Sequence, residues 1–580
     1  MQRILLHHQG KGKSWCVLLA LLTIFSAQVF PADTIQTTVP ALKDVYAHDF
    51  TIGCLLSYRN IGFPTDSSVS GQSAVITPNG GYLIKYHMNC MSPGNNMKPQ
   101  YTVDTAASRA AYNAASPGAA RDSAETHPVV KFNGDMIAQL NWAKRQGFTF
   151  RGHTLVWYNQ TPTAFFRSGY SATGVYLSKS VMTQRMDFYI HEIIRLIHEG
   201  WPGLLSAIDV VNEAIDDNTG KIRTSSNDWY TTFGDSSYVM KAFELARKYT
   251  ISYNEIQIKL YYNDYNTHLV TKANGIVGLI TPIFQAGYLD GIGMQEHDSY
   301  TSPTAADWIT TYNKFYPICT EMAVTEFEVT TTTSPTASTY VTQANQYGQL
   351  FKCFVERSYK SGRGRIINVS KDGLNDQYTQ GSATYSSLWD ANNQCKPAFY
   401  AVANVGINYH ALDSLISYAN TLKQAGYTTP SWSNFSAALT SAKTAISQNY
   451  SASVSADTAL GAARDNLKAG INGLVNVMAV HSASENNPKT FALGQNYPNP
   501  FNPTTQINYS VPQNCYISLK VYNLLGEDVA TLFSGMQQAG NYVATVDGTR
   551  LASGIYFYRM QATTNGVNNF QETKKLILMK

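Results

Sequence analysis

The stretch "AIDVVNEAIDD", residues 207–217, decides how the chain is read. Ile208, Val210 and Val211 make a β-branched apolar run that stops at Asn212-Glu213, as a buried parallel strand stops where its side chains begin to face a site. Glu213 then has two readings, a catalytic acid or a solvated carboxylate past a strand end. The dipeptide alone does not choose between them.

Similar runs recur on both sides: "FTIGCLL" (50–56), "GGYLIKYHMN" (80–89), "FTFRGHTLVW" (148–157), "IKLYYNDYN" (258–266), "GIGMQEH" (291–297), "MAVTEFEV" (322–329) and "RIINVS" (365–370). With "SAIDVVNEA" they make eight predicted strands, and helical stretches such as "FNGDMIAQLNWAKRQG" (132–147) and "MKAFELARKYT" (240–250) lie between them. Strands alternating with helices over residues 40–410 predict a parallel sheet closed into a (β/α)8 TIM barrel, an α/β fold whose chemistry sits at the C-terminal strand ends. Residues 411–477 change to amphipathic helices, with Leu412, Leu415, Ile416, Ala419 and Leu422 on one face, and predict a small three-helix bundle. A linker at 478–490 follows, and the alternating strands and Gly/Asn turns of 491–580 predict an immunoglobulin-like β-sandwich.

Composition narrows the partners. Of 580 residues, 44% are hydrophobic, 12% aromatic and only 14% charged, with 38 Tyr, so the surface is rich in neutral hydrogen-bonding and stacking groups that suit polysaccharides. A formal charge of +4 and the lack of basic runs exclude nucleic acid as a partner. Residues 1–32 read as a signal peptide: Arg3, Lys11 and Lys13 precede the apolar "WCVLLALLTIFSA", with cleavage expected between Ser26 and Ala32. "GKGKS" at 10–14 is no phosphate loop, because the earlier glycine and the preceding strand are missing. Cys54, Cys90, Cys319, Cys353, Cys395 and Cys515 remain after export; Cys54–Cys90 and Cys319–Cys353 are candidate disulfides, and unpaired buried thiols are an equal alternative. No zinc spacing is present, so neither a metal nor an organic cofactor is expected.

Glycoside cleavage with retention needs two carboxylates about 5 Å apart, a nucleophile and an acid/base. "EMAVTEFEV" supplies a partner for Glu213, since another apolar strand reaches Glu326 and a barrel would bring both strand ends to one mouth. Five ordered motifs, "RGHTLVWYNQTP", "DVVNEA", "LYYNDYN", "GIGMQEH" and "VTEFEV", resemble glycoside hydrolase family 10, the retaining endo-β-1,4-xylanases. The resemblance implies Glu213 as acid/base, Glu326 as nucleophile, Asn212 as a donor to the sugar 2-hydroxyl and His297 as the group that keeps Glu326 ionised. It also implies sugar-binding positions at Asn95, Lys98, His153, Trp157, Gln160 and Gln295, and a site-lining Tyr265; Trp157 has barrel packing as its alternative.

The chain also departs from that family. Gly94 stands where a sugar-gripping carboxylate is usual, Tyr158 replaces a His, and Asp372 falls where a site-covering Trp is expected, with Trp389 the next tryptophan along. An aromatic lid contributes stacking of roughly 1 to 2 kcal/mol, so its loss reshapes the sugar sites. The "TTTTSPTAST" stretch (330–339) reads as a loop at the mouth or a disordered insertion. Residues 411–477 resemble a FIVAR-type helical module, a spacer or a glycan contact, with Trp432 expected to pack inside it. The end, from "LGQNYPNPFNPTTQINYSVP" to "KKLILMK", resembles the C-terminal sorting domain of type IX secretion, whose machinery would be a partner. The expectation is therefore a secreted or surface-attached retaining endo-β-1,4-xylanase. The alternatives are a related hydrolase of substituted xylan or mixed β-glucan, and a glycan-binding surface protein without catalysis.

Overall fold

A computed structural model of the chain describes residues 35–56, 68–71, 80–358, 362–376, 385–475, 488–549, 551–564 and 567–579. The signal-peptide reading and most of the linker fall outside these residues. Strands β1 (Thr51–Leu56), β2 (Cys90–Pro93), β3 (Thr149–Trp157), β4 (Leu205–Asn212), β5 (Lys259–Asp264) and β6 (Gly291–Met294) pair in parallel in chain order. After the short β7 (His297–Ser299) come β8 (Glu321–Thr330) and β9 (Arg365–Asp372). β6 pairs with β8, β8 with β9, and β9 returns to β1, so eight parallel strands close into the expected barrel. β7 resumes two residues beyond β6 and runs along the end of β8, opposing His297 to Glu328.

One predicted strand is corrected. "GGYLIKYHMN" is the helix Gly80–His87, and the strand is the next segment, Cys90–Pro93. Leu83, Ile84 and His87 are the inward residues, which is the period of a helix and not of a strand. Thr330 ends β8, only residues 331–336 form a loop, and the helix Ala337–Ser358 begins at once.

The barrel lumen is plugged by polar groups as well as apolar ones. Arg151 on β3 donates to Asp209 on β4 at 2.5 Å and lies over the Tyr261 ring at 4.4 Å, while the Tyr261 hydroxyl donates to Glu321 at 2.7 Å. All of this chemistry sits on the inward face of strands whose outward face packs on helices. A buried ion pair of this kind contributes little net stability, but removing one partner leaves an uncompensated charge and costs about 3–5 kcal/mol.

The helix Pro397–Ala419 runs through the 410/411 boundary drawn from the sequence, so barrel and bundle share one element. Leu412, Phe435, Leu460 and Leu467 join the same apolar cluster as the barrel helices. Their helices, Pro397–Ala419, Thr429–Ser447 and Ala456–Asn472, form the expected bundle. Trp432 packs there, stacked on Tyr427 at 5.8 Å and against Phe435 at 4.9 Å. Beyond it, β10 (Ala492–Leu493), β11 (Thr504–Val511) and β14 (Gly540–Asp547) make one antiparallel sheet; β12 (Cys515–Tyr522), β13 (Asp528–Gln537), β15 (Gly554–Thr564) and β16 (Val567–Leu578) make the other. Ile507, Tyr509, Ile517, Leu519, Tyr558 and Met560 alternate inward to form its own core.

All six described cysteines are free thiols, so neither candidate disulfide forms. The register explains the first pair: Cys90 lies beside Gly53, which places Cys54 one residue on and therefore on the opposite face of the sheet. Titration of the non-reduced, denatured chain with Ellman's reagent should count every thiol of the exported chain. A deficit of two would mean that a disulfide forms.

Candidate active site

Glu213 follows the last residue of β4 and Glu326 lies within β8, two residues beyond its pairing with β6, and each is 8% exposed. A carboxylate so far from water requires donors, and the neighbouring strand ends provide them. Glu213 Oε1 accepts from Asn212 Nδ2 and Gln295 Nε2, both at 2.9 Å, and Oε2 accepts from Trp157 Nε1 at 3.0 Å. Asn263, at the end of β5, is the hub: its Nδ2 donates to Asn212 Oδ1 and to Glu326 Oε1, each at 3.0 Å, and its Oδ1 accepts from Thr325 at 2.7 Å. The two carboxylates are thus joined through the chain Glu213–Asn212–Asn263–Glu326. Gly293 on β6 makes room for that hub, because a Cβ there would stand 2.2 Å from Asn263 Oδ1.

Glu326 sits among cations. His297 Nε2 is 3.4 Å from its Oε2, and His153 Nε2 is 3.9 Å from its Oε1. Burial pushes the Glu326 carboxyl up, but the opposing pull of His153, His297 and Lys98 prevails and leaves it at about 2. Burial likewise disfavours the His297 imidazolium, and the hydrogen bonds to Glu326 and Glu328 outweigh it, raising His297 well above the usual histidine range. His153 is oriented from below by Asp209, whose Oδ2 lies 2.9 Å from Nδ1, so the lumen ion pair reaches up to the Glu326 side of the site. Glu213 takes up a left-handed backbone at φ 54°, with its N–H donating to the Asn263 carbonyl at 2.9 Å.

The other residues marked from the sequence surround this pair. Lys98 donates to Asn95 Oδ1 and Gln160 Oε1, each at 2.9 Å, and lies 4.5 Å from the centre of the Trp157 ring. The Trp157 indole N–H holds Glu213, which ties this sugar-binding candidate to the carboxylate pair. Tyr265 stands further out, its hydroxyl accepting from Arg223 at 3.2 Å and its ring lying 3.6 Å from the Lys272 ammonium. Tyr158 stacks on the same Arg223 at 4.5 Å. Asp372 is buried in the wall beside His297; burial and the Glu328 and Glu326 charges push its carboxyl up to about 8 against the pull of His297 and Lys371. Trp389 does not replace the missing lid, because it is fully buried against His87 and Phe399.

Asn263, Asp209, Glu328 and Arg223 were not marked as site residues from the sequence. Glu328 was legible as the residue two along from Glu326, on the same face of the same strand. Asn263 lies in the quoted "LYYNDYN" and Asp209 in "DVVNEA", where polar residues interrupt otherwise apolar runs.

Residues 41–405 match the model for glycosyl hydrolase family 10, and residues 495–579 match the secretion system C-terminal sorting domain. The chain is 30% identical over 401 residues to endo-1,4-beta-xylanase Y of Acetivibrio thermocellus, covering 66% of this chain but only 34% of that protein. It is 28% identical over 403 residues to a beta-1,4-xylanase of Dictyoglomus thermophilum, covering 67% of this chain and 97% of the relative. Among solved structures, the CBM22-1–GH10 modules of a Clostridium thermocellum endo-1,4-beta-D-xylanase, complexed with xylohexaose, superpose with a TM-score of 0.53 at 30% identity, covering 64% of this chain and 68% of that one. The match takes in every barrel strand and both buried carboxylates, and through it the chain belongs to glycosyl hydrolase family 10.

Proposed function

We propose that the barrel is a retaining endo-β-1,4-xylanase that hydrolyses internal linkages of xylan by double displacement. The observation that carries this reading is the pair of buried carboxylates at two strand ends, one of them held ionised by the cations around it. In the first half-reaction a Glu326 oxygen attacks the anomeric carbon while the glycosidic oxygen leaves with a proton from Glu213, giving a glycosyl-Glu326 ester. In the second, Glu213 takes a proton from water as that water attacks the same carbon, and the ester bond breaks to return Glu326 as a carboxylate. Asn212 and Asn263 hold the two groups in register. His297 supplies positive charge that keeps the nucleophile ionised before attack, and His153 lies 3.9 Å from its other oxygen.

Asn95, Lys98, Gln160 and Gln295 are assigned to sugar hydroxyls; their donors and acceptors converge on the same mouth. Relatives bearing xylanase names, and the xylohexaose complex of one of them, support xylan as the substrate class. A polar wall at Asp372, with no aromatic lid in place of it among the described residues, favours a substituted xylan or another β-glycan as a second substrate. The C-terminal sandwich is assigned as a sorting signal that directs the chain to type IX secretion and the cell surface or medium.

Glu326→Ala should lower turnover of an aryl β-xylobioside by about a thousandfold or more without unfolding the chain. Azide should restore Glu213→Ala on an activated aryl substrate and yield a β-glycosyl azide; an α-product would contradict retention. His297→Asn removes a hydrogen bond and a charge that hold Glu326 ionised, so its carboxyl moves back toward the ordinary range. Activity of this variant should then fall away at a higher pH on the acid side than in the parent, as read from kcat/KM against pH. Gly293→Ala drives a methyl into Asn263 and displaces the hub, which should cost about a hundredfold in kcat/KM while the melting temperature stays near that of the parent. Reducing-end release from xylan, arabinoxylan, β-glucan and carboxymethylcellulose ranks the substrates, and release from none of them would sink the xylanase reading.

A further inference from the structure

Beside the two carboxylates, one cluster in the cleft has more acceptors than donors. His297 Nδ1 lies 3.1 Å from Glu328 Oε1, and Asp372 completes a group in which one ligand atom from each residue lies within 4.8 Å of the others. Glu328 and Asp372 are 5% and 1% exposed, yet Glu328 Oε2 and Asp372 Oδ1 have no hydrogen-bond partner. Each of these buried oxygens has acceptor capacity that no side chain uses. The nearby Lys371 ammonium donates to the Asp372 backbone carbonyl at 2.6 Å and adds positive charge beside both carboxylates without bonding to either free oxygen. The His297 side chain is 31% exposed, so the cluster opens to the cleft.

We propose that His297, Glu328 and Asp372 form a binding site for a divalent transition-metal ion of the zinc type, and that an ion held there inhibits the enzyme. One imidazole nitrogen and two carboxylate oxygens, with a further position open to water, is a donor set that Zn²⁺ accepts and that Mg²⁺ and Ca²⁺, which favour oxygen alone, do not. Bonds of about 2.0–2.2 Å require the ligand atoms to draw closer together than the 4.8 Å within which they now lie. The site depends on the carboxylate that stands in place of an aromatic lid.

Coordination through His297 Nδ1 and an ionised Asp372 releases the Nδ1 proton and the Asp372 carboxyl proton to solvent. The Nε2–H still faces Glu326 Oε2 at 3.4 Å, so the inhibition comes from the ion itself, whose double positive charge beside the cleft opposes the positive charge that develops on the sugar in the transition state. The inhibitory step rests on the glycosidase reading; the binding step does not.

Isothermal titration of the full-length exported chain with ZnCl₂ in chelator-free buffer tests the binding step, with MgCl₂ as the comparison. One site should appear for zinc and none for magnesium. Asp372→Asn, which keeps the shape of the side chain, and Glu328→Gln should each weaken zinc binding by about tenfold or more at unchanged melting temperature. No zinc site in the parent, or equal affinity in parent and both variants, would overturn the proposal. Hydrolysis of an aryl β-xylobioside is then followed with and without zinc, each protein against its own metal-free rate. The parent should slow and recover with EDTA, while Asp372→Asn should not slow at the same zinc concentration; zinc bound at this site without any slowing would overturn the inhibitory role. Zinc binding that depends on Asp372, in a parent that cleaves no glycan, would count against the glycosidase reading and leave the metal site standing.

Discussion

Two carboxylates must stay charged or titratable while withdrawn from nine-tenths of their water, and the rest of the barrel is arranged around that requirement. An isolated ionised carboxylate in such surroundings would take up a proton, so its form is decided by the donors and cations within reach. Closing eight parallel strands brings their C-terminal ends to one rim, where Asn212, Asn263, Gln295, Trp157 and the two histidines can all reach the pair. The closure of β6 on β8 is therefore as much a part of the chemistry as of the fold.

The lumen connects the two. Asp209 accepts from Arg151 below and holds His153 above, so a single carboxylate both neutralises the buried guanidinium and fixes the imidazole facing Glu326. Packing is subordinate to this polar column at one place in particular. Gly293 gives up its side chain so that the Asn263 amide can occupy the space and bridge the pair.

The barrel was legible in the chain because short, largely apolar runs alternate with helical stretches and give way to polar residues at their ends. Gly80–His87 was misread because a short apolar run carries little period of its own, and only the inward set Leu83, Ile84 and His87 distinguishes helix from strand. Glu213 and Glu326 were legible because chemistry demanded a pair and two strand ends offered one. Asn263 was not, because an asparagine within a tyrosine-rich strand looks like any polar residue until the neighbouring strands are placed beside it. Trp157 was read as a sugar platform or packing, and its bond to Glu213 depends on a ring orientation that no spacing encodes. The free cysteines turn on a one-residue register between β1 and β2 that is a property of the pairing.

Glu213 adopts φ 54° and Glu296 φ 59°, conformations that a residue with a Cβ enters at a cost of order 1–3 kcal/mol. The rim that aims the carboxylates therefore carries strained backbone, which at Glu213 is held in place by the three hydrogen bonds to its side chain. Selection for heat resistance alone would favour relief of that strain at the expense of the aim. Gains in stability that leave the site intact have to come from the bundle, the outer helices and the sandwich.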